Sequence, residues 1–100
     1  MQKLSRADIA SSLQSVPLWS RQGAMISRTF QFADFVASIK FVNAISKRAE
    51  KACHHPDIDI RWNKVTLRLS THDAGGLTGK DFLLARECDG IAAAAAKPKS

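Results

Sequence analysis

Residues 57–70 read DIDIRWNKVTLRLS, and apolar and polar side chains alternate on both sides of a short central break. Successive side chains of a β-strand point to opposite faces, so this alternation predicts two strands that are each buried on one face. Asn63 and Lys64 are expected to form the two-residue turn, because asparagine tolerates the left-handed backbone angles that such turns require. The pattern therefore predicts a β-hairpin.

The expected turn also predicts a register for this hairpin. A slip of one residue would move the apolar set to the opposite face, so the alternation restricts the pairing. Continued beyond the strand ends, the same count sets His55 opposite His72. The expected partners are Trp62 with Val65, Ile60 with Leu67, Ile58 with Leu69 and, on the polar face, Asp59 with Arg68.

Helix and strand signals extend in both directions from the hairpin. A Ser5–Asp8 capping pattern opens a first helix that Pro17 ends, and Thr78 with Asp81 repeats the pattern before a last helix. Two strands, 19–23 and 24–32, flank a glycine turn. The strongest helical period runs from Ala33 to about Cys53, before Pro56. Its expected inward stripe comprises Phe35, Ile39, Val42, Ala49 and Cys53, widened by Phe32, Val36, Phe41, Ile45 and Ala52.

The order of these elements predicts the fold class. It is α-β-β-α-β-β-α, which indicates an α+β domain with a four-stranded antiparallel sheet and helices packed on one face. One hundred residues favour a single domain, 1–100, with a core over about 4–90 and a frayed tail over 91–100.

Composition excludes several classes of protein. Apolar residues make up 45% and charged residues 24%, which is typical of a soluble globular chain. Fifteen bases against nine acids give a net charge of +6, but no basic run is long enough for a nucleic-acid patch. No signal peptide or membrane span is evident, and two cysteines indicate reduced thiols in a cytoplasmic protein. We expect no nucleic-acid or membrane partner.

All three histidines fall where the hairpin ends meet. His54, His55 and His72 are expected to line one cleft, with Glu50 one helical turn before His54 and Asp81 at the start of the last helix. Imidazole titrates near neutrality, so such a cluster suits proton transfer in either direction.

Structural roles compete with this interpretation. The paired histidines could cap a helix C-terminus, Asp81 could serve only as a helix cap, and Glu50 could be a solvated charge. Trp62 fits core or sheet packing from its pattern alone. Zinc binding is the rival chemical interpretation, but no Cys-x-x-Cys or His-x-x-x-His spacing supports it, and we expect no metal.

The spacing of these residues resembles the pterin-4a-carbinolamine dehydratases. The matching string is Glu50-x-x-x-His54-His55-Pro56, Trp62, His72 and Asp81, with Arg28-x-Phe30-x-Phe32 and Gly75-Gly76-Leu77-Thr78 also fitting. The resemblance implies a hydro-lyase that removes water from 4a-hydroxytetrahydropterin and gives quinonoid dihydropterin. It implies His54, His55 and His72 as catalytic residues, with Asp81, Glu50 and Trp62 in substrate-binding or supporting roles.

The same resemblance implies a biological setting. Such enzymes recycle the tetrahydropterin cofactor of aromatic amino acid hydroxylases, use no metal or organic cofactor, and form homodimers or homotetramers whose sheets join across subunits. Animal members also bind a homeodomain transcription factor and stabilise its dimer. The alternative implied function is therefore a protein-binding dimerisation cofactor or transcriptional coactivator.

Overall fold

The computed structural model describes residues 2–96 and forms an α+β domain with the expected element order. A single 3₁₀ turn, His72–Ala74, follows the last strand. The helices are α1 (Arg6–Gln14), α2 (Phe35–Ala52) and α3 (Gly79–Ala96), and the strands are β1 (Ser20–Gln22), β2 (Met25–Gln31), β3 (Asp57–Arg61) and β4 (Lys64–Leu69).

The four strands form one antiparallel sheet in the order β1-β2-β4-β3. Its inner face contributes Ile26 and Phe30 from β2 and three aliphatic residues from β4, each at most 2% exposed. Helix α2 covers this face with Phe41 and Ile45, and Phe41 lies 4.7 Å from Phe30 between ring centroids. Burial of this apolar surface is the main force that joins helices to sheet.

Both predicted caps are present. The Ser5 hydroxyl accepts a hydrogen bond from the Asp8 backbone N–H at 3.1 Å and begins α1. At α3, the Thr78 N–H donates to Asp81 Oδ2 at 2.9 Å, and the Thr78 hydroxyl accepts from the Lys80 N–H. These bonds satisfy N–H groups that the first helical turn leaves without partners.

The hairpin differs from its predicted register by two residues. Its turn is Trp62-Asn63 rather than Asn63-Lys64, so Ile60 pairs with Val65 and Asp57 with Arg68. A shift of two preserves the side-chain parity, and the apolar residues therefore still share one face. The same count sets Ser70, not His72, level with His55.

The stripe predicted for α2 was wrong in part. The buried positions are Ser38, Phe41, Ile45 and Ala49, whereas Phe35 is 50% exposed. The apolar residues of α2 cover more than one helix face, and only contact with the sheet selects which face is buried.

Helix α3 continues through Ala96, although the sequence predicts fraying from residue 91. Ala92 is buried in the main hydrophobic cluster, and this contact supports the extended helix. The rest of the predicted tail, 97–100, lies outside the described residues. Over 2–96, no helix is both long and apolar enough to cross a membrane.

Candidate active site

An open hollow of about 250 Å³ lies between the end of α2 and the loop after β4. The predicted residues His54, His55 and His72 all line it. The other lining residues are Cys53, Ser70, Thr71, Asp73 and Lys80. The structure thus brings the three imidazoles around one space, as the sequence predicts.

Cys53 precedes the two adjacent histidines and sets their directions. It caps α2 with left-handed angles, φ 52° and ψ 39°, and its N–H bonds to the carbonyls of Ala49 and Glu50. The chain turns sharply at this point, so the side chains of the next two residues lie in different environments. His54 is 8% exposed, while the side chain of His55 is 63% exposed.

His54 is held by a buried carboxylate. Its Nε2 lies 2.6 Å from Asp81 Oδ1, and Asp81 is fully buried. Because a carboxylate can only accept, His54 Nε2 carries the proton in this bond. Nδ1 of a neutral His54 ring is then the nitrogen that can accept a proton.

Two threonine hydroxyls complete the environment of Asp81. Thr71 Oγ1 donates to Asp81 Oδ2 at 2.8 Å, and it lies 2.8 Å from Thr78 Oγ1. Because the Thr71 hydroxyl donates its only proton to Asp81, the Thr78 hydroxyl is the donor in its bond to Thr71. Asp81 therefore accepts from His54, Thr71 and the Thr78 backbone, and a carboxylate has enough lone pairs for all three donors.

Glu50 contacts a different histidine from the one predicted. Its Oε2 lies 2.5 Å from His55 Nε2, and both side chains are mostly exposed. The prediction assumed that His54 continues the helix face of Glu50. The left-handed turn at Cys53 removes His54 from that face and leaves His55 within reach.

His72 is placed by a short closed loop. The backbones of Thr71 and Gly76 exchange two hydrogen bonds, at 3.1 and 3.3 Å, and Gly75 takes a left-handed φ of 74°. His72 begins the 3₁₀ turn inside this loop and is exposed. Its imidazole makes no hydrogen bond to the part of the chain that the structure describes, so it is available to a ligand in the hollow.

The model of one protein family, described as pterin 4 alpha carbinolamine dehydratase, matches residues 2–91 of this chain. The chain belongs to this family.

Relatives within the family cover nearly the same length. A protein of Nocardia farcinica is 55% identical over 89 residues, which are 89% of this chain and 94% of the relative. One of Roseiflexus castenholzii is 57% identical over 88 residues, 88% of this chain and 95% of the relative. Both are named "putative pterin-4-alpha-carbinolamine dehydratase".

Solved structures show the same fold. A protein of Brucella melitensis, described as a transcriptional coactivator/pterin dehydratase, superposes with a TM-score of 0.88 at 30% identity. The alignment covers 91% of this chain and 99% of that one. A pterin dehydratase-like protein described as a RuBisCO assembly factor shares the fold alone, with a TM-score of 0.62 at 20% identity.

Trp62 does not join the histidine cluster of this pterin-dehydratase-family chain. It lies in the β3–β4 turn with a left-handed φ of 53° and is 67% exposed. Strand β3 separates it from His55, a length of about 17 Å for five extended residues. Trp62 therefore does not line the hollow, and its supporting role stays a prediction.

Sequence reasoning missed Thr71, Cys53 and Lys80 at this site. Thr71 directly precedes His72, but its hydrogen bond to Asp81 depends on the folded loop and cannot be inferred from the sequence. The helical spacing places Cys53 in the apolar stripe, although its position before His-His-Pro is also typical of a helix cap. Within residues 2–96, no group of three or more His, Cys, Asp or Glu side chains is arranged to hold a metal ion.

Proposed function

We propose that this chain is a hydro-lyase that converts 4a-hydroxytetrahydropterin to quinonoid dihydropterin and water by histidine acid–base catalysis. One observation supports this most strongly: three imidazoles line a single hollow, and a buried aspartate fixes one of them. Membership in the pterin-4a-carbinolamine dehydratase family supports the same reaction. The pterin is the substrate, and the proposal requires no separate cofactor.

The reaction needs two proton transfers at neighbouring atoms. The substrate carries a hydroxyl on carbon 4a, next to the ring nitrogen N5. A base removes the N5 proton, the C4a–O bond breaks as C4a=N5 forms, and an acid protonates the departing oxygen. Each well-placed acid or base contributes about 10²–10⁴-fold to the rate.

His54 and His72 are the proposed proton-transfer pair. Asp81 holds the proton on His54 Nε2, so Nδ1 can accept a proton from the substrate, and the carboxylate stabilises the imidazolium that forms. His72 stands on the loop across the hollow and can donate to the leaving oxygen. The two roles can exchange when the substrate presents its opposite face.

His55 has the proposed role of binding and orienting the ring. It lies at the exposed rim of the hollow, where Glu50 holds its Nε2. A pterin ring that enters from solvent therefore meets His55 before it reaches the buried His54.

The proposed physiological setting is recycling of the tetrahydropterin cofactor of an aromatic amino acid hydroxylase. The proposed assembly is a homodimer or homotetramer. Both follow from family membership and are tested by hydroxylase-coupled assays and by solution molar mass.

The reaction is tested by the decay of 4a-hydroxytetrahydropterin absorbance during hydroxylase turnover, with and without the protein. We expect faster decay with the wild type and a loss of about tenfold or more with His54→Ala or His72→Ala. Arg61→Ala, at the far end of the hairpin and 84% exposed in its side chain, is the control and should keep full activity. Decay at the spontaneous rate, or unchanged turnover in both histidine variants, would refute the proposal.

A protein-binding role is the second candidate function. The Brucella melitensis protein is described as a transcriptional coactivator as well as a dehydratase. In this chain, Phe35 and Val36 of α2 are 50% and 60% exposed beside a groove between α2 and α3. Light scattering with and without candidate partners tests this role. A mass change that His54→Ala leaves intact would support binding independent of catalysis.

A further inference from the structure

A second hollow, separate from the histidines, is surrounded by positive charge. It encloses about 360 Å³ between the N-terminal segment, the β1–β2 turn and the loop after the 3₁₀ turn. We call it the basic hollow. Its cations are Lys3, Arg6 and Arg21, its apolar floor is Leu4, Ile9 and Leu77, and its remaining lining is Gly23, Ala24, Gly75 and Gly76.

Contacts with the backbone help to position two of these cations, Lys3 and Arg21. The Leu4 N–H donates to the Leu77 carbonyl at 2.7 Å, which joins the N-terminal segment to the loop that precedes α3. Lys3 then packs its aliphatic stem over Gly76, where an added Cβ would lie 3.4 Å from Lys3 Cδ. Arg21 Nε donates to the Gly23 carbonyl at 2.9 Å, and this bond leaves its two terminal amino groups available.

The charges of the basic hollow are not compensated within the described chain. None of the described residues that line it is acidic, and Lys3, Arg6 and Arg21 take part in none of the ion pairs found over residues 2–96. Three cations around one hollow that has no carboxylate in its described lining favour an anionic ligand. Two guanidinium groups add planar donor pairs that match phosphate oxygens.

We propose that the basic hollow binds a phosphorylated small molecule. Arg6 and Arg21 would donate paired hydrogen bonds to the phosphate oxygens, Lys3 would add a point charge, and the apolar floor would contact the rest of the ligand. The ligand would also contact Gly75 and Gly76, which belong to the same loop as His72. The proposed site and the histidine hollow are therefore lined by parts of the same loop.

Calorimetric titration with inorganic pyrophosphate at constant ionic strength tests the site without any assay of activity. We expect saturable binding of one pyrophosphate per chain, and an affinity at least about tenfold weaker in Arg21→Gln and in Lys3→Gln. Lys47→Gln is the matched control, because it removes one exposed positive charge from α2 and should bind as the wild type does.

The absence of saturable binding to the wild type would overturn the proposal, as would equal affinity in all four proteins. Circular dichroism confirms that each variant is folded. Arg21 lies in a strand and Lys3 precedes the first helix, so the two variants disturb different elements and either one can test the site.

A second arm distinguishes the two sources of the phosphate. If the phosphate belongs to the substrate, a phosphorylated reduced pterin should have a lower KM than its unphosphorylated form, and Arg21→Gln should remove that difference. If it belongs to another compound, the two pterins should have equal KM values while pyrophosphate still binds. Either KM result supports the proposed site only if the wild type also binds pyrophosphate saturably in the calorimetric titration.

Discussion

His54 Nε2 and Asp81 Oδ1 lie 2.6 Å apart although the two residues are 27 positions apart in the chain. Asp81 also caps α3, so one carboxylate both begins a helix and orients an imidazole. The ring is therefore positioned by the same contact that fixes α3 against the end of α2.

Replacement of Asp81 by asparagine should lower kcat by about tenfold or more. The amide can accept hydrogen bonds on only one of its two sides, and it no longer stabilises the imidazolium of His54. Steady-state kinetics measures the effect, and a changed pH profile of kcat would show that His54 is perturbed rather than the fold alone.

Asp34→Asn provides the matched control for this variant. Asp34 is also a capping aspartate, accepting from the Ala37 N–H at 2.8 Å at the start of α2, but it does not line the histidine hollow. Its variant should keep kcat. An equal loss of kcat in both variants would contradict the special role of Asp81.

Replacement of Glu50 by glutamine should change kcat/KM by less than about fivefold, because exposed ion pairs contribute only about 0–1 kcal/mol. The side chains of Glu50 and His55 are 77% and 63% exposed. Kinetics of Glu50→Gln beside Asp81→Asn gives the comparison. A larger loss for Glu50→Gln would show that the exposed pair, and not the buried pair, controls the chemistry.

Replacement of Trp62 by glycine should raise the free energy of unfolding by about 0.5–1 kcal/mol, because a left-handed φ is costly for any residue with a Cβ and easy for glycine. The φ of Trp62 is 53°. Urea denaturation measures the change, and Trp62→Ala separates the backbone effect from loss of the indole. Stabilisation by alanine as large as that by glycine would argue against the backbone explanation.

One of the two thiols should react in the folded protein. Cys53 is exposed and Cys88 is buried. Titration with a thiol-specific chromogenic disulfide should count one group per native chain and two after denaturation. In Cys53→Ser, the number of thiols that react in the folded protein should fall to zero. Rapid labelling of Cys88 in the folded state would contradict its burial.

Alkaline pH should destabilise the fold through Cys88. Burial, together with the carboxylates of Asp89 and Glu87, raises the pKa of this thiol from 9.0 to about 12. The unfolded chain loses the proton first, so the contribution of Cys88 is complete below pH 9 and is lost as the pH rises to about 12. The unfolding free energy of Cys88→Ala should fall less steeply over this range, and equal slopes would refute the assignment.

The element order could be predicted because local signals determine it. Capping patterns at Ser5 and Thr78 and the alternation of 57–70 each act within a few residues. The hairpin register could not be predicted as reliably, because alternation repeats every two residues and tolerates a shift of two. The bend at Trp62-Asn63 places a tryptophan in left-handed geometry, which local preferences disfavour.

The candidate site shows a similar division. Its histidines could be grouped from the hairpin, since strand pairing brings the ends of 57–69 together. Their carboxylate partners could not be assigned, because the distinction between Glu50 and Asp81 depends on one backbone angle at Cys53 and on the docking of α3.

The left-handed turn at Cys53 gives two identical neighbouring side chains different surroundings. With helical angles at Cys53, α2 would continue toward His54, and this imidazole would leave the buried position beside Asp81. The backbone conformation of Cys53 thus leaves His54 buried and His55 exposed, although the two residues are adjacent and identical. A substitution that returned Cys53 to helical angles would therefore remove His54 from its carboxylate without altering either histidine.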